Sequence, residues 1–229
     1  MESDLFKPTE YTAALLHHLR RHSGRKGLGR VLEIGTGSGV VMACLAAAGA
    51  QHVLGVEIEA AAVAASRALL QRHGLQQRTS VVQGDMWLAC GGGVFDMIVS
   101  NLPQFPASHV AGDGRLVTWS AGGGDGRRLV DRFLLGLPAH LAAGGLAVMT
   151  HNVFIDLEKT RLMARELGLQ ARVVSSTSVP LSAQKLASMN PAVRDRYAGR
   201  GIHNMGPYWF ADFDIVEIGW EMDALADRQ

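Results

Sequence analysis

The chain has 229 residues, 48% of them hydrophobic and 19% charged, which suits one domain with a substantial core and excludes general disorder. Its 22 basic and 21 acidic residues leave a formal charge of +1, which excludes the strong positive field of a non-specific nucleic-acid binder. Met1-Glu2-Ser3-Asp4-Leu5 has neither a positive n-region nor an apolar stretch, and the longest apolar run, Val40 to Ala50, is too short to span a bilayer. With only Cys44 and Cys90, both in apolar or glycine-rich contexts, the reading is a cytoplasmic protein with buried thiols and no membrane partner.

In chain order, Thr9 to Arg21 places Ala13, Leu15, Leu16 and Leu19 near helical spacing behind Thr9 as a candidate N-cap. A basic connector with Arg25 and Lys26 leads into the strand Val31–Ile34, which stops at Gly35-Thr36-Gly37-Ser38-Gly39 before an apolar helix, Val40 to Ala48. Strands follow at 52–56, 79–82 and 94–100, with a helix at 60–73 between the first two. Then come a helix at 126–141, a strand at 146–150, a helix at 154–167 and a strand at 171–176. Residues 179–208 read as an irregular insertion, a lid or binding loop, before a last strand at 209–220. The alternation predicts a Rossmann-like, doubly wound α/β fold with a mostly parallel seven-stranded sheet, helices on both faces and an antiparallel last strand. The expected division of the single domain is 1–29 as helix and connector, 30–177 as core, and 178–229 as insertion and last strand.

Chemistry starts where the first strand ends. Glycines let backbone pass close to a ligand, and the following helix presents unpaired N–H groups, so a nucleotide-type cofactor is expected there. A dinucleotide fingerprint would need a glycine at position 40, where Val40 stands, and no P-loop Lys-Ser/Thr follows. Glu57, ending the second strand 22 residues after Gly35, is in register to accept from ribose hydroxyls.

The pattern Glu33-x-Gly35-x-Gly37-x-Gly39 resembles that of the class I S-adenosylmethionine-dependent methyltransferases, whose loop wraps the methionine part of the cofactor. A carboxylate just before the loop suits a ligand carrying an ammonium and a sulfonium. The resemblance implies cofactor contacts from Glu33, Gly35, Thr36, Gly37, Gly39, Glu57 and Ile58. It also implies that Asp85 accepts from the adenine amino group while Met86 or Trp87 packs on the ring.

The segment Asn101-Leu102-Pro103-Gln104-Phe105-Pro106 is similar to the (Asp/Asn)-Pro-Pro-(Tyr/Phe/Trp) motif of methyltransferases acting on planar nitrogens, including the release-factor glutamine methyltransferases. That resemblance makes Asn101, Leu102 and Pro103 the catalytic segment. Asn101, which also borders the cofactor, and a backbone carbonyl would accept from the acceptor's NH₂. Leu102 replaces a proline, Gln104 replaces the aromatic residue and Phe105 is displaced by one position, so Gln104 and Phe105 are candidate substrate contacts. Phe6-Lys7-Pro8-Thr9-Glu10-Tyr11-Thr12 and the turn Gly123-Gly124-Asp125-Gly126 also resemble segments of that family, although Asp125 equally suits a helix N-cap. The family's bacterial members carry a helical docking domain ahead of the glycine loop, whereas about thirty residues precede it here. The expected acceptor is therefore a protein glutamine or a small metabolite, with a helper subunit or a homo-oligomer as partner; the alternative from another class is a non-catalytic cofactor-binding partner protein.

Other signals complete the reading. His151 and His203 are candidate bases for an oxygen-methylating variant, and His151, Trp209 and Trp119 are candidate lining of the acceptor pocket. His18 and His22 lie four apart on the first helix without a third ligand in register, so they read as solvent-facing, and no metal is expected.

Overall fold

A computed structural model describes residues 7–22, 28–107 and 121–221. Phe6, Trp119 and most of the basic connector fall outside the described residues.

Helix α1 (Glu10–His22) turns Thr12, Leu15 and Leu19 inward at helical spacing. Its start is braced by the Thr12 hydroxyl, which accepts from the Thr9 N–H at 3.3 Å, the reverse of the bond a Thr9 cap would make. The chain continues through β1 (Arg30–Ile34), α2 (Val40–Ala47), β2 (His52–Glu57), α3 (Ala60–Arg72), β3 (Thr79–Gln83) and β4 (Phe95–Ser100). After the turn at 121–127 come α4 (Arg128–His140), β5 (Leu141–Asn152), α5 (Leu157–Glu166) and β6 (Leu169–Leu181). Two short helices, α6 (Ala183–Ser188) and α7 (Pro191–Tyr197), then lead to the hairpin β7 (Ile202–Met205) and β8 (Tyr208–Trp220).

The sheet order is β3-β2-β1-β4-β5-β8-β6, with β7 paired to β8. β1 to β5 run parallel, and β8 is antiparallel to β5, β6 and β7. The antiparallel last strand is as expected, while among the described residues the sheet has eight strands rather than seven. Residues 179–208 are regular rather than irregular: β6 runs on to Leu181, and Ser182 and Asn190 cap the two short helices with their side chains. The helix expected at 154–167 is broken by Asp156. This residue adopts φ +64° and caps α5 by accepting from the Lys159 N–H.

The central strands β1, β4 and β5 are covered by helices on both faces, so alternate side chains enter two different cores. Leu32, Ile34, Ile98, Ala147 and Met149 face α4 and α5, joining Phe133, Leu134 and Leu137. Val31, Val99 and Val148 face the other way, with Leu15, Leu19, Met42 and Leu45. Each large side chain so buried contributes about 1.5–3 kcal/mol. The strand order reverses between β1 and β4, and a fold of this kind leaves a crevice beyond the carboxyl ends of those two strands.

Candidate functional site

Two cavities open at that reversal point, and Asn101, Leu102 and Pro103 line both. These residues directly follow β4, whose last residue Ser100 is fixed by its hydroxyl donating to the Ile34 carbonyl at 3.1 Å. They form a wall with one cavity on each side.

The first cavity, about 350 Å³, is bounded by Gly35, Gly37, Glu57, Ile58, Asp85, Met86 and the α4 residues Arg128, Leu129 and Arg132. Gly35, Gly37 and Gly39 sit at φ +78°, +52° and +79°, a left-handed path that strains any residue with a Cβ. Glu57 secures the loop: its Oε2 accepts from the Gly37 N–H at 2.9 Å and its Oε1 from the N–H groups of Ile58 and Glu59 at 2.8 and 3.1 Å. A carboxylate has about four lone-pair sites, so acceptor capacity remains on the cavity side. Ile58 leaves an apolar side chain 57% exposed at the rim.

Glu33 is not among the residues lining this cavity. Strand alternation puts its side chain on the Val31 face, beneath the loop and against α2, where it is 3% exposed. Its Oε2 is buried without a partner. Burial first, and the neighbouring Glu57 carboxylate second, push Glu33 well above the usual carboxylate range. Thr36 is likewise buried, with its hydroxyl unpartnered, and does not line the cavity. Gly39 does not line it either; a Cβ there would overlap Ser66 of α3. Asp85 does line the cavity but pairs with Arg132 at 2.8 Å. Met86, at φ +47°, is buried at the cavity edge. Trp87 turns away, stacked on His140 and donating to the Arg132 carbonyl at 2.9 Å.

The second cavity, about 460 Å³, draws on α1 (Glu10 and Tyr11), the wall and its continuation through Phe105, the end of β5 (Thr150 and Asn152), and the segment 179–185. The Tyr11 ring stacks on Phe213 at 4.2 Å between centroids, and its hydroxyl donates to Asn152 Oδ1 at 2.8 Å. Phe105 stands edge-on to Phe154.

Gln104 lines the larger cavity, as a substrate contact would, but its amide is already engaged. It is 3% exposed and spends its amide on the protein: Nε2 donates to the Thr150 carbonyl at 2.6 Å, and Oε1 accepts from the Asn152 N–H at 2.7 Å. Behind it, the turn at 122–126 packs flat on the loop. A Cβ on Gly126, at φ +79°, would overlap the Gln104 carbonyl oxygen, and one on Gly122 would press on the Gln104 Cα. Asp125 makes a turn bond to the Arg127 N–H at 3.0 Å, one step ahead of α4, rather than capping the helix itself.

Three expected histidine and tryptophan placements fall elsewhere. His151 is fully buried on the opposite face of β5 from Thr150 and Asn152, and its Nε2 lies 2.8 Å from the Thr160 hydroxyl. Burial first, then the nearby Arg127 guanidinium, push it down to about 3, so it lines neither cavity and carries no proton near neutrality. His203 pairs with Asp212 at 2.6 Å in the hairpin, and Trp209 packs against the core; neither lines a cavity. His18 is not solvent-facing: it contacts Glu217 at 3.1 Å with its side chain 12% exposed.

Sequence reasoning placed the His151-Asn152 pair where substrate contacts could lie, and Asn152 lines the larger cavity; it missed Tyr11 and Thr150. Tyr11 lay inside a segment already noted for its resemblance. Thr150 lacked a local signal, because its relation to Asn101 depends on the β4–β5 register, which pairs Ser100 with Met149.

Residues 9–116 match the family model of the methyltransferase small domain. Over 181 residues the chain is 26% identical to a Methanocaldococcus jannaschii protein that bears a provisional protein N5-glutamine methyltransferase name, covering 79% of this chain and 88% of that one. It is 30% identical over 145 residues to a release factor glutamine methyltransferase of Gloeobacter violaceus, covering 60% of this chain and 50% of that one. The chain thus spans half or less of the length of the release-factor enzymes it matches. The fold superposes on a ribosomal protein L11 methylase of Lactobacillus delbrueckii with a TM-score of 0.57 at 17% identity, over 93% of this chain and 80% of that one. No helix among the described residues is long and apolar enough to cross a membrane.

Proposed function

We infer that this S-adenosylmethionine-dependent methyltransferase passes its methyl group to a planar amide nitrogen, that of a protein glutamine side chain, held at Asn101. The observation that carries the reading is the wall of Asn101, Leu102 and Pro103, which borders both cavities at once. A transfer between two ligands needs a point where they meet, and this is the point the two cavities share.

The cofactor's fit is supported by the residues around the smaller cavity. Glu57 and Asp85 both line this cavity, Glu57 at the glycine loop. Their oxygens suit the hydroxyl and amino donors of a nucleoside better than a pyrophosphate. Gly35 and Gly37 would follow the methionine portion, Glu57 would accept from the ribose hydroxyls, and Ile58 and Met86 would border the adenine beside Asp85. S-adenosylmethionine supplies an electrophilic methyl carbon.

The protein's own share is alignment. The Asn101 oxygen accepts from the Thr150 hydroxyl at 2.8 Å, leaving acceptor capacity for an acceptor N–H, with a wall carbonyl as second partner. These bonds would hold the nitrogen near the methyl carbon and stabilise the positive charge that grows on it. Such a positioned group is worth about 10²–10³ in rate. An amide needs no dedicated strong base, because its proton can leave after transfer. We treat the chain as one catalytic unit that takes its acceptor from a partner protein.

One observation favours a second reading, a small-metabolite acceptor. Gln104 is drawn into the wall where the motif has an aromatic face, with Leu181, Ser182 and Lys185 across the same cavity. Mass spectrometry after incubation with labelled cofactor separates the two. Label on a glutamine of a translation factor or ribosomal protein supports the first reading. Label only on small amines or amides, with every glutamine unmodified, refutes it.

A further inference from the structure

We propose that Gln104 is a positioning residue that sets the orientation of the Asn101 amide, acting through the end of β5. The proposal rests on the reading of Asn101 as the acceptor-holding group, and its geometry does not depend on which acceptor is held.

The direction of the Gln104 amide is fixed by backbone groups that cannot exchange roles. The Thr150 carbonyl only accepts, so Nε2 must face it at 2.6 Å; the Asn152 N–H only donates, so Oε1 must face it at 2.7 Å. The Asn152 side-chain amide adds a longer bond to the same oxygen at 3.4 Å and is itself aimed by the Tyr11 hydroxyl. Gln104 therefore grips β5 on both sides of His151. Thr150, held by its carbonyl, turns its hydroxyl to Asn101 Oδ1 at 2.8 Å. The path runs in one direction: Gln104 places Thr150, and Thr150 places the oxygen of Asn101.

Leu102 gives this clamp its purpose. A proline at that position would fix φ and stiffen the loop unaided, whereas leucine leaves the torsion free. A buried amide spanning the loop and β5 restores the constraint. It also accounts for a polar residue where the motif carries a ring: the side chain at 104 is built into the wall.

The test reads Asn101 directly, through the NMR signals of its side-chain amide, assigned by their absence from Asn101→Ala. Thr150→Val removes the hydroxyl at nearly constant volume. It should displace those signals and lower kcat about tenfold while leaving cofactor affinity unchanged; Thr150→Ser should restore both. Gln104→Glu adds a readout that a merely space-filling residue would not give. Only a protonated carboxyl can still donate to the Thr150 carbonyl, so the Asn101 signals should match the wild type at low pH and depart from it as the carboxyl ionises. Asn101 signals unmoved by Thr150→Val and by ionised Gln104→Glu would overturn the proposal. Signals that move as described while the wild type methylates no glutamine peptide would leave the clamp standing and remove the glutamine reading alone.

Discussion

The two cavities share one wall but are built in opposite ways. The smaller cavity, proposed for the cofactor, is organised around backbone: a glycine loop turned through left-handed conformations, with the Glu57 carboxylate accepting from three N–H groups at its edge. The larger cavity, proposed for the acceptor, is lined by side chains brought from α1, β5, the end of β6 and the segment after it. A backbone site depends on few residues close in sequence and tolerates little change, whereas a side-chain site can be rebuilt while the chemistry at Asn101 stays. The comparison teaches that changes on one side should leave the other intact, with the wall as the one place where both are touched.

The largest expected effect is at the wall. Asn101→Ala should lower turnover by about 10²–10³ while cofactor affinity stays close to the wild-type value, as measured by calorimetric titration beside single-turnover rates. Equal losses in both would make Asn101 a cofactor residue only. Next, Glu57→Ala should weaken cofactor binding about 10–100-fold, because it strands the N–H groups of Gly37, Ile58 and Glu59 and removes the proposed ribose acceptor.

Gly126→Ala tests the acceptor side through its support. A left-handed φ and overlap with the Gln104 carbonyl should together cost about 1–3 kcal/mol in denaturant unfolding. Cofactor affinity of the folded fraction should be unchanged.

His151 gives a pH signature. Its folded-state value, about 3, lies below the ordinary 6.5, so the unfolded chain binds the proton more readily. The neutral ring's stabilisation is therefore fully present above pH 6.5 and is lost progressively as pH falls toward 3. Urea midpoints measured across that range should fall with acidity in the wild type and fall less in His151→Gln. The smallest effect is expected at the cofactor rim. The Arg132 and Asp85 side chains are 44% and 41% exposed, and exposed pairs are worth about 0–1 kcal/mol. Arg132→Ala should accordingly change cofactor affinity by less than about fivefold.

How much of this was legible in the sequence follows the same division. The glycine loop, Glu57, Asp85 and Asn101 could be read because each sits at the end of a strand whose neighbours in sequence announce it. Glu33 was placed in the loop's pattern correctly, yet its side chain points into the α2 face, an outcome of strand alternation that the spacing alone did not weigh. His151 failed for the same reason, being one residue out of phase with Thr150 and Asn152 along β5. The engagement of the Gln104 amide was not legible because its partners, the backbone groups of Thr150 and Asn152, lie more than forty residues away and are set by β4–β5 pairing. Residues 179–208 read as irregular because caps at Ser182 and Asn190 start helices too short to carry a periodic apolar face.

The central claim is that the two ligands meet across Asn101. A crystal structure with S-adenosylmethionine tests it most directly. The account predicts ribose against Glu57, adenine beside Ile58 and Met86, and the methyl carbon facing the wall toward the larger cavity. Cofactor density lying among Tyr11, Phe105 and Phe154 instead, or a methyl group directed away from Asn101, would contradict it.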